Sequence, residues 1–161
     1  MMKSVLSGLI AGVSVCLSVT AGFAATSTGN LNVTLTIVGG CGILTTTPVN
    51  FGTASYISGN LSAQGSISVV CSLNVPYTIG LDGGQSGSIS ARHMMNGAST
   101  VTYQLYQDSS FSTVWGNSTG QYYNGTGTGL AQVIPVYGQV AGPQAVVTGL
   151  YQDSVVVTVT Y

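Results

Sequence analysis

One histidine, three aspartates, no glutamate and two basic residues are nearly all the charge chemistry this chain contains. General acid–base or nucleophilic catalysis needs several titratable groups converging in one pocket. His93 with Asp82, Asp108 or Asp153 and one of the many serines comes nearest to such a set. No Gly-x-Ser-x-Gly elbow accompanies it, and Ser86 lacks the flanking pattern. His93 is therefore read as a loop or edge-strand residue, no catalytic residue is assigned, and the chain is not expected to be an enzyme. The run Gly125-Thr126-Gly127-Thr128-Gly129 has the glycines of a phosphate cradle, but no lysine follows and no helix lends its N-terminus. It is read as a flexible loop, and no small-molecule substrate is expected. No metal-ligand spacing occurs, so neither metal nor cofactor is expected.

The three cysteines carry the remaining chemistry. Met1 to Ala24 begins with Lys3, runs apolar from Val5 to Val19 and closes on Gly22-Phe23-Ala24, the pattern of a secretory signal cut after Ala24. Cys16 leaves with it. Cys41 and Cys71 remain as an even pair in an oxidising compartment, where a disulfide is the default. Closing that loop contributes about 3 to 4 kcal/mol. Expected boundaries are a leader over 1–24, an N-terminal extension over 25–40 and one domain over 41–161.

Removing Lys3 with the leader leaves Arg92 as the lone basic side chain against Asp82, Asp108 and Asp153. Such a surface cannot grip nucleic acid. It also lacks the mutual repulsion that keeps monomers apart, so association costs little. Asn32, Asn60, Asn117 and Asn124 sit in N-x-[ST] sequons, frequent by chance in so Asn-, Ser- and Thr-rich a chain. Trp115, Tyr103, Tyr106, Tyr122 and Tyr123 are read as core or edge packing ahead of a sugar-stacking platform.

The elements that position these residues repeat with period two. Leu31, Val33, Leu35 and Ile37 alternate with Asn32, Thr34 and Thr36, as in a half-buried strand, until Gly39-Gly40 breaks the run. Ile67, Val69 and Cys71 form one inward face, and Val101, Tyr103 and Leu105 another. Tyr77 to Leu81 is a short strand closed by Asp82-Gly83-Gly84. Leu130 to Val140 is a longer one whose inward face Pro135 obscures. Val155, Val157, Val159 and Tyr161 end the chain in the same alternation. Gly116 to Gly129 reads as an exposed loop. No helical stripe occurs after the leader, and short strands separated by Gly, Ser and Asn clusters argue for an antiparallel β-sandwich.

In this order the motifs resemble those of spore coat protein U domain proteins, a group that includes subunits of archaic chaperone-usher pili. The resemblance rests on Leu31 to Val38 before Cys41, Asn50-Phe51-Gly52, Cys71, Pro76-Tyr77 and Leu81-Asp82-Gly83-Gly84. Further carriers are Arg92 with Met94-Met95-Asn96-Gly97, Tyr103 to Asp108, Trp115-Gly116, Gly127 with Gly129, Pro135-Val136-Tyr137-Gly138 and the ending Gly149 to Tyr161. The departure is charge, since relatives often carry more Lys, Arg and Asp. The resemblance implies an all-β fold, an incomplete immunoglobulin-like antiparallel β-sandwich completed by donor-strand exchange. A full sandwich wants one more strand after Tyr161. By the same resemblance Leu31, Val33, Leu35 and Ile37 are the donor strand for a neighbour. Val155, Val157, Val159 and Tyr161 are expected to line the receiving groove. The implied partners are a periplasmic chaperone, an outer-membrane usher and identical or sister subunits, with export through the periplasm to a cell-surface fibre serving adhesion and biofilm formation. A tip adhesin or lectin-like module, and a spore-coat protein, are the alternatives.

Overall fold

The computed structural model describes residue 22 and residues 24–161, so the expected leader lies outside the described residues but for Gly22 and Ala24. The chain divides into two units, Met1–Leu35 and Thr36–Tyr161. In the first, residues 24–35 carry neither helix nor strand.

The second unit holds nine strands: β1 (Cys41–Thr47), β2 (Leu61–Cys71), β3 (Pro76–Leu81), β4 (His93–Asn96), β5 (Ser99–Thr102), β6 (Gln104–Tyr106), β7 (Tyr123–Thr126), β8 (Ala131–Val140) and β9 (Val157–Thr160). They form a sheet in the order β1-β2-β8-β6, a second in the order β7-β3-β9, and a β4-β5 hairpin. Every strand pairing is antiparallel. Among the described residues the helical content is two 3-10 turns, Gly84–Ser86 and Ile89–Ala91.

Alternation turns one face of each sheet inward, because successive side chains on a strand point to opposite sides. β2 contributes Ile67, Val69 and Cys71 to a single core, β3 contributes Tyr77, Ile79 and Leu81, and β8 contributes Ile134, Val136 and Val140. The inward face of β8 is thus the even-numbered one. Pro135 lies on the other face, beyond the pairing of β8 with β6 and opposite Ser66 of β2. Trp115 is fully buried between the sheets, and its Nε1 donates to the Ile79 carbonyl at 2.9 Å.

Two sequence expectations are corrected here. The run Val101 to Tyr106 is not one strand: β5 pairs with β4, β6 pairs with β8, and the Tyr103 N–H donates to Arg92 O at the crossing. The side-chain alternation survives because Val101, Tyr103 and Leu105 all still point into the core. Nor is Gly116 to Gly129 wholly a loop, since β7 lies within it and pairs with β3, setting Gly125 opposite Tyr77. A Cβ at Gly125 would strike the Tyr77 ring, and one at Gly127 would strike Ser72 O and Cys71 Cβ. These glycines allow close backbone approach, which local composition reads as flexibility.

The scarce charges fasten loops. Arg92 is buried, and its guanidinium donates to the carbonyls of Leu81 and Asp82 and, at 2.6 Å, to Gln104 Oε1. Burial lowers its pKa from the ordinary guanidinium value, while Tyr103, Asp82 and Asp153 pull the other way. Asp82 Oδ1 accepts from the Gly84 and Val156 N–H groups, tying the turn after β3 to the approach of β9. Asp108 caps its own turn, accepting from Ser110, Ser112 and Thr113, and those hydrogen bonds hold its carboxyl well below the usual range.

Candidate functional site: an open cleft in the sandwich

β1 pairs with β2 alone and β9 with β3 alone, so each has one edge without a strand partner among the described residues. The two strands approach one another, and beside them opens a cleft of about 880 Å³. Thr46 and Thr47 of β1 line one side, while Val155 and Val157 line the other. Its floor is the sandwich core itself, with Ile67, Leu81, Leu105, Val136 and Val140 facing into the space. Residues 48–57 and 146–152 form the rim, contributing Val49, Phe51, Ile57, Val146 and Tyr151.

Thr, Ser, Asn and Gln residues share this lining with the aliphatic ones, and within it Tyr103 and Asp153 form a hydrogen-bonded pair. Tyr103 lines the cleft, and its hydroxyl donates to Asp153 Oδ2 at 2.7 Å. Burial, and then that hydrogen bond, raise the Tyr103 pKa far above its ordinary 10.0. Asp153 Oδ1 accepts from the Gln85 and Ser154 N–H groups, so the carboxylate is engaged on both oxygens. Such a cleft can bind a row of apolar side chains, and its bordering strand edges can hydrogen-bond an extended backbone.

The terminal residues named from sequence divide by position. Val155 and Val157 line the cleft, Val159 packs against the core, and Tyr161 lines a smaller dent beside the disulfide with Gly40, Cys71 and Gly129. Cys41 and Cys71 are bonded and sit directly opposite each other in the β1-β2 register. Leu31, Val33, Leu35 and Ile37 are 89, 86, 85 and 80 % exposed and belong to no strand. The half-buried strand expected there is corrected: the alternation is present, but its apolar row is not buried.

The other residues weighed for chemistry do not converge on a reaction centre. His93 lies at the start of β4, its Nδ1 3.1 Å from the Ala91 carbonyl oxygen. Among the described residues no three of His, Cys, Asp or Glu gather as metal ligands do. The four sequon asparagines are exposed. Sequence reasoning assigned no part in the groove to the rim residues Val49, Phe51, Val146 and Tyr151. Asn50-Phe51-Gly52 stood out as a motif without a role, and no periodic signal marked residues 146–152.

An antiparallel sandwich with an open apolar cleft defines an all-β structural class of protein. Within it, the chain belongs to the spore coat protein U domain family, whose model matches residues 27–158. It is 36% identical over 155 residues to Protein U of Myxococcus xanthus, covering 86% of this chain and 87% of that protein. It is also similar to a chain in the crystal structure of the CsuC-CsuE chaperone-tip adhesion subunit pre-assembly complex, from archaic chaperone-usher Csu pili of Acinetobacter baumannii. That match has a TM-score of 0.56 and 28% identity, and covers 78% of this chain. The chain spans 40% of the solved one. Membership of this family makes the protein structural and non-enzymatic.

Proposed function

We propose that this chain is a fibre subunit of a chaperone-usher assembly, polymerising when residues 31–37 of one copy fill the cleft of the next. The observation that carries the reading is the cleft of about 880 Å³, floored by core residues and bordered by strands with free edges. A closed sandwich buries such residues between complete sheets. The exposed row Leu31, Val33, Leu35 and Ile37 supplies the complementary element, and as an extended strand it spans about 20 Å. Added beside β9 or β1, it gains main-chain hydrogen bonds from the edge and apolar burial from every second side chain.

An open apolar cleft is an aggregation hazard before the neighbour arrives, so the reading includes a chaperone that caps it in transit and an usher that exchanges chaperone for subunit. The solved relative from a chaperone–subunit complex supports the first of these partners. The proposed organisation is a leader over 1–24, a donor extension over 25–40 and a receiving domain over 41–161, with delivery through the periplasm to a surface fibre serving adhesion and biofilm formation. The family's name favours a second deposition site, a coat around dormant cells, built by the same strand exchange.

Electron microscopy of secreted material tests this, with mass spectrometry of gel ladders run before and after boiling. Fibres, and SDS-resistant ladders of this chain that collapse on boiling, are expected. A secreted chain that stays a lone monomer with residues 31–37 paired in its own sheet would falsify the reading.

A further inference from the structure

The exposed apolar residues around the root of the N-terminal arm lie outside the cleft. Gly40 is anchored there by two hydrogen bonds, Ser72 N–H to Gly40 O at 2.9 Å and Gly40 N–H to Ser72 Oγ at 3.2 Å. Leu73 follows Ser72 and is 67 % exposed, Leu130 follows Gly129 and is 73 % exposed, and Tyr161 is 64 % exposed. Gly129 N–H bonds to Cys71 O, and Asn74 N–H to Gly127 O, so the two loops form one surface. Gly40, Ser72, Gly129 and Tyr161 also line a shared dent of about 390 Å³ beside the disulfide.

We infer that this pole is a second contact between successive subunits, with Leu73, Leu130 and Tyr161 packing on the outer rim of the copy that receives the arm. The inference rests on the strand-exchange reading above and follows from tether length. Ile37 is the last aliphatic of the donor row, and three residue steps to Gly40 reach at most about 10 Å. A domain of this size is roughly 35 Å across. A receiver holding Ile37 therefore cannot stand clear of the pole, because the anchored Gly40 leaves only Val38 and Gly39 as slack. The occupant is set by the chain's own covalent geometry: another subunit of the same fibre, brought against an apolar surface with almost no charge to repel it.

Hydrogen–deuterium exchange on wild-type fibres tests this against the Leu35→Asp/Ile37→Asp chain, which the strand-exchange reading keeps monomeric. Amides of residues 72–75 and 128–132 are expected to exchange at least about tenfold more slowly in fibres. A photo-reactive amino acid in place of Leu130 is expected to cross-link neighbouring subunits, and one in place of exposed Ser109 is not. Fibres with an unprotected pole and no cross-link from position 130 overturn this inference and leave strand exchange standing. If the Asp variant polymerises, or wild type never does, strand exchange falls and this contact falls with it. Replacing both Leu73 and Leu130 by Ser is expected to preserve fibres yet shorten the lifetime of their junctions in denaturant, and an unchanged lifetime counts against the contact.

Discussion

If residues 31–37 are the donor strand proposed above, replacing Leu35 and Ile37 by Asp is expected to separate folding from assembly. Both side chains are largely in water, 85 and 80 % exposed, so nearly their whole apolar surface is available for burial against another copy. Fully burying one such side chain is worth about 1.5 to 3 kcal/mol, and two about 3 to 6 kcal/mol. On the strand-exchange reading their loss is expected to weaken a subunit junction by about two to four powers of ten. Carboxylates entering a cleft walled by Leu81, Val155 and Val157 add a desolvation cost in the same direction. The domain's own stability is expected to move by no more than about 0.5 kcal/mol, because exposed positions away from special contacts are nearly neutral. The assay pairs thermal denaturation of the purified chain with SDS-resistant ladders of secreted material. An unchanged melting temperature with loss of the ladder is the expected pair of results. Normal ladders from the double variant refute the donor assignment. A collapsed melting temperature refutes the premise that these residues lie outside their own domain's core.

Three further perturbations address what holds the folded domain. Arg92→Ala strips the Leu81 and Asp82 carbonyls and Gln104 of a buried donor and is expected to cost at least about 1 to 3 kcal/mol, the penalty of an unsatisfied buried acceptor, read as a lower urea midpoint. Gly125→Val drives a side chain into the Tyr77 ring and separates β7 from β3, costing about 1 to 3 kcal/mol in the same assay. Tyr103 supplies a pH signature: its pKa is raised on folding, so its contribution is complete below the ordinary 10.0 and is lost as pH climbs above it. Melting temperature is therefore expected to fall steeply above about pH 10, and Tyr103→Phe to flatten that decline; an identical slope in the variant excludes this residue as the cause.

The strands that alternate cleanly were legible in the sequence, because one buried face imposes period two on Ile67-Val69-Cys71, on Tyr77-Ile79-Leu81 and on the ending from Val155. Sheet membership was not. Tyr103 reads identically whether β5 and β6 are one strand or two, since the change of partner leaves its side chain pointing inward and alters only which carbonyl its N–H meets. β7 was hidden because Gly125 and Gly127 serve neighbours distant in sequence, Tyr77 and Ser72, and glycine carries no mark of what approaches it. The cleft had the weakest local signature. Val49, Phe51, Val146 and Tyr151 come from separate loops and meet only when the sheets stack, so no window contains the site. The alternation of residues 31–37 was plain, but a pattern states that a face needs burying without stating whose surface buries it.

The placement of Cys41 has a mechanical consequence. Tension applied through the N-terminal arm enters the folded domain at that residue, the first of β1, a strand whose other edge is unpaired. With hydrogen bonds alone, such a load would peel β1 away one rung at a time. The covalent link to Cys71 instead passes the pull straight into β2, which lies between β1 and β8 and whose register with β8 runs over ten residue pairs from Leu61 to Val70. Stretching therefore loads the interior of the sheet in shear and leaves the weak margin slack, so a reducing agent should make the domain yield at lower force while barely changing its shape at rest.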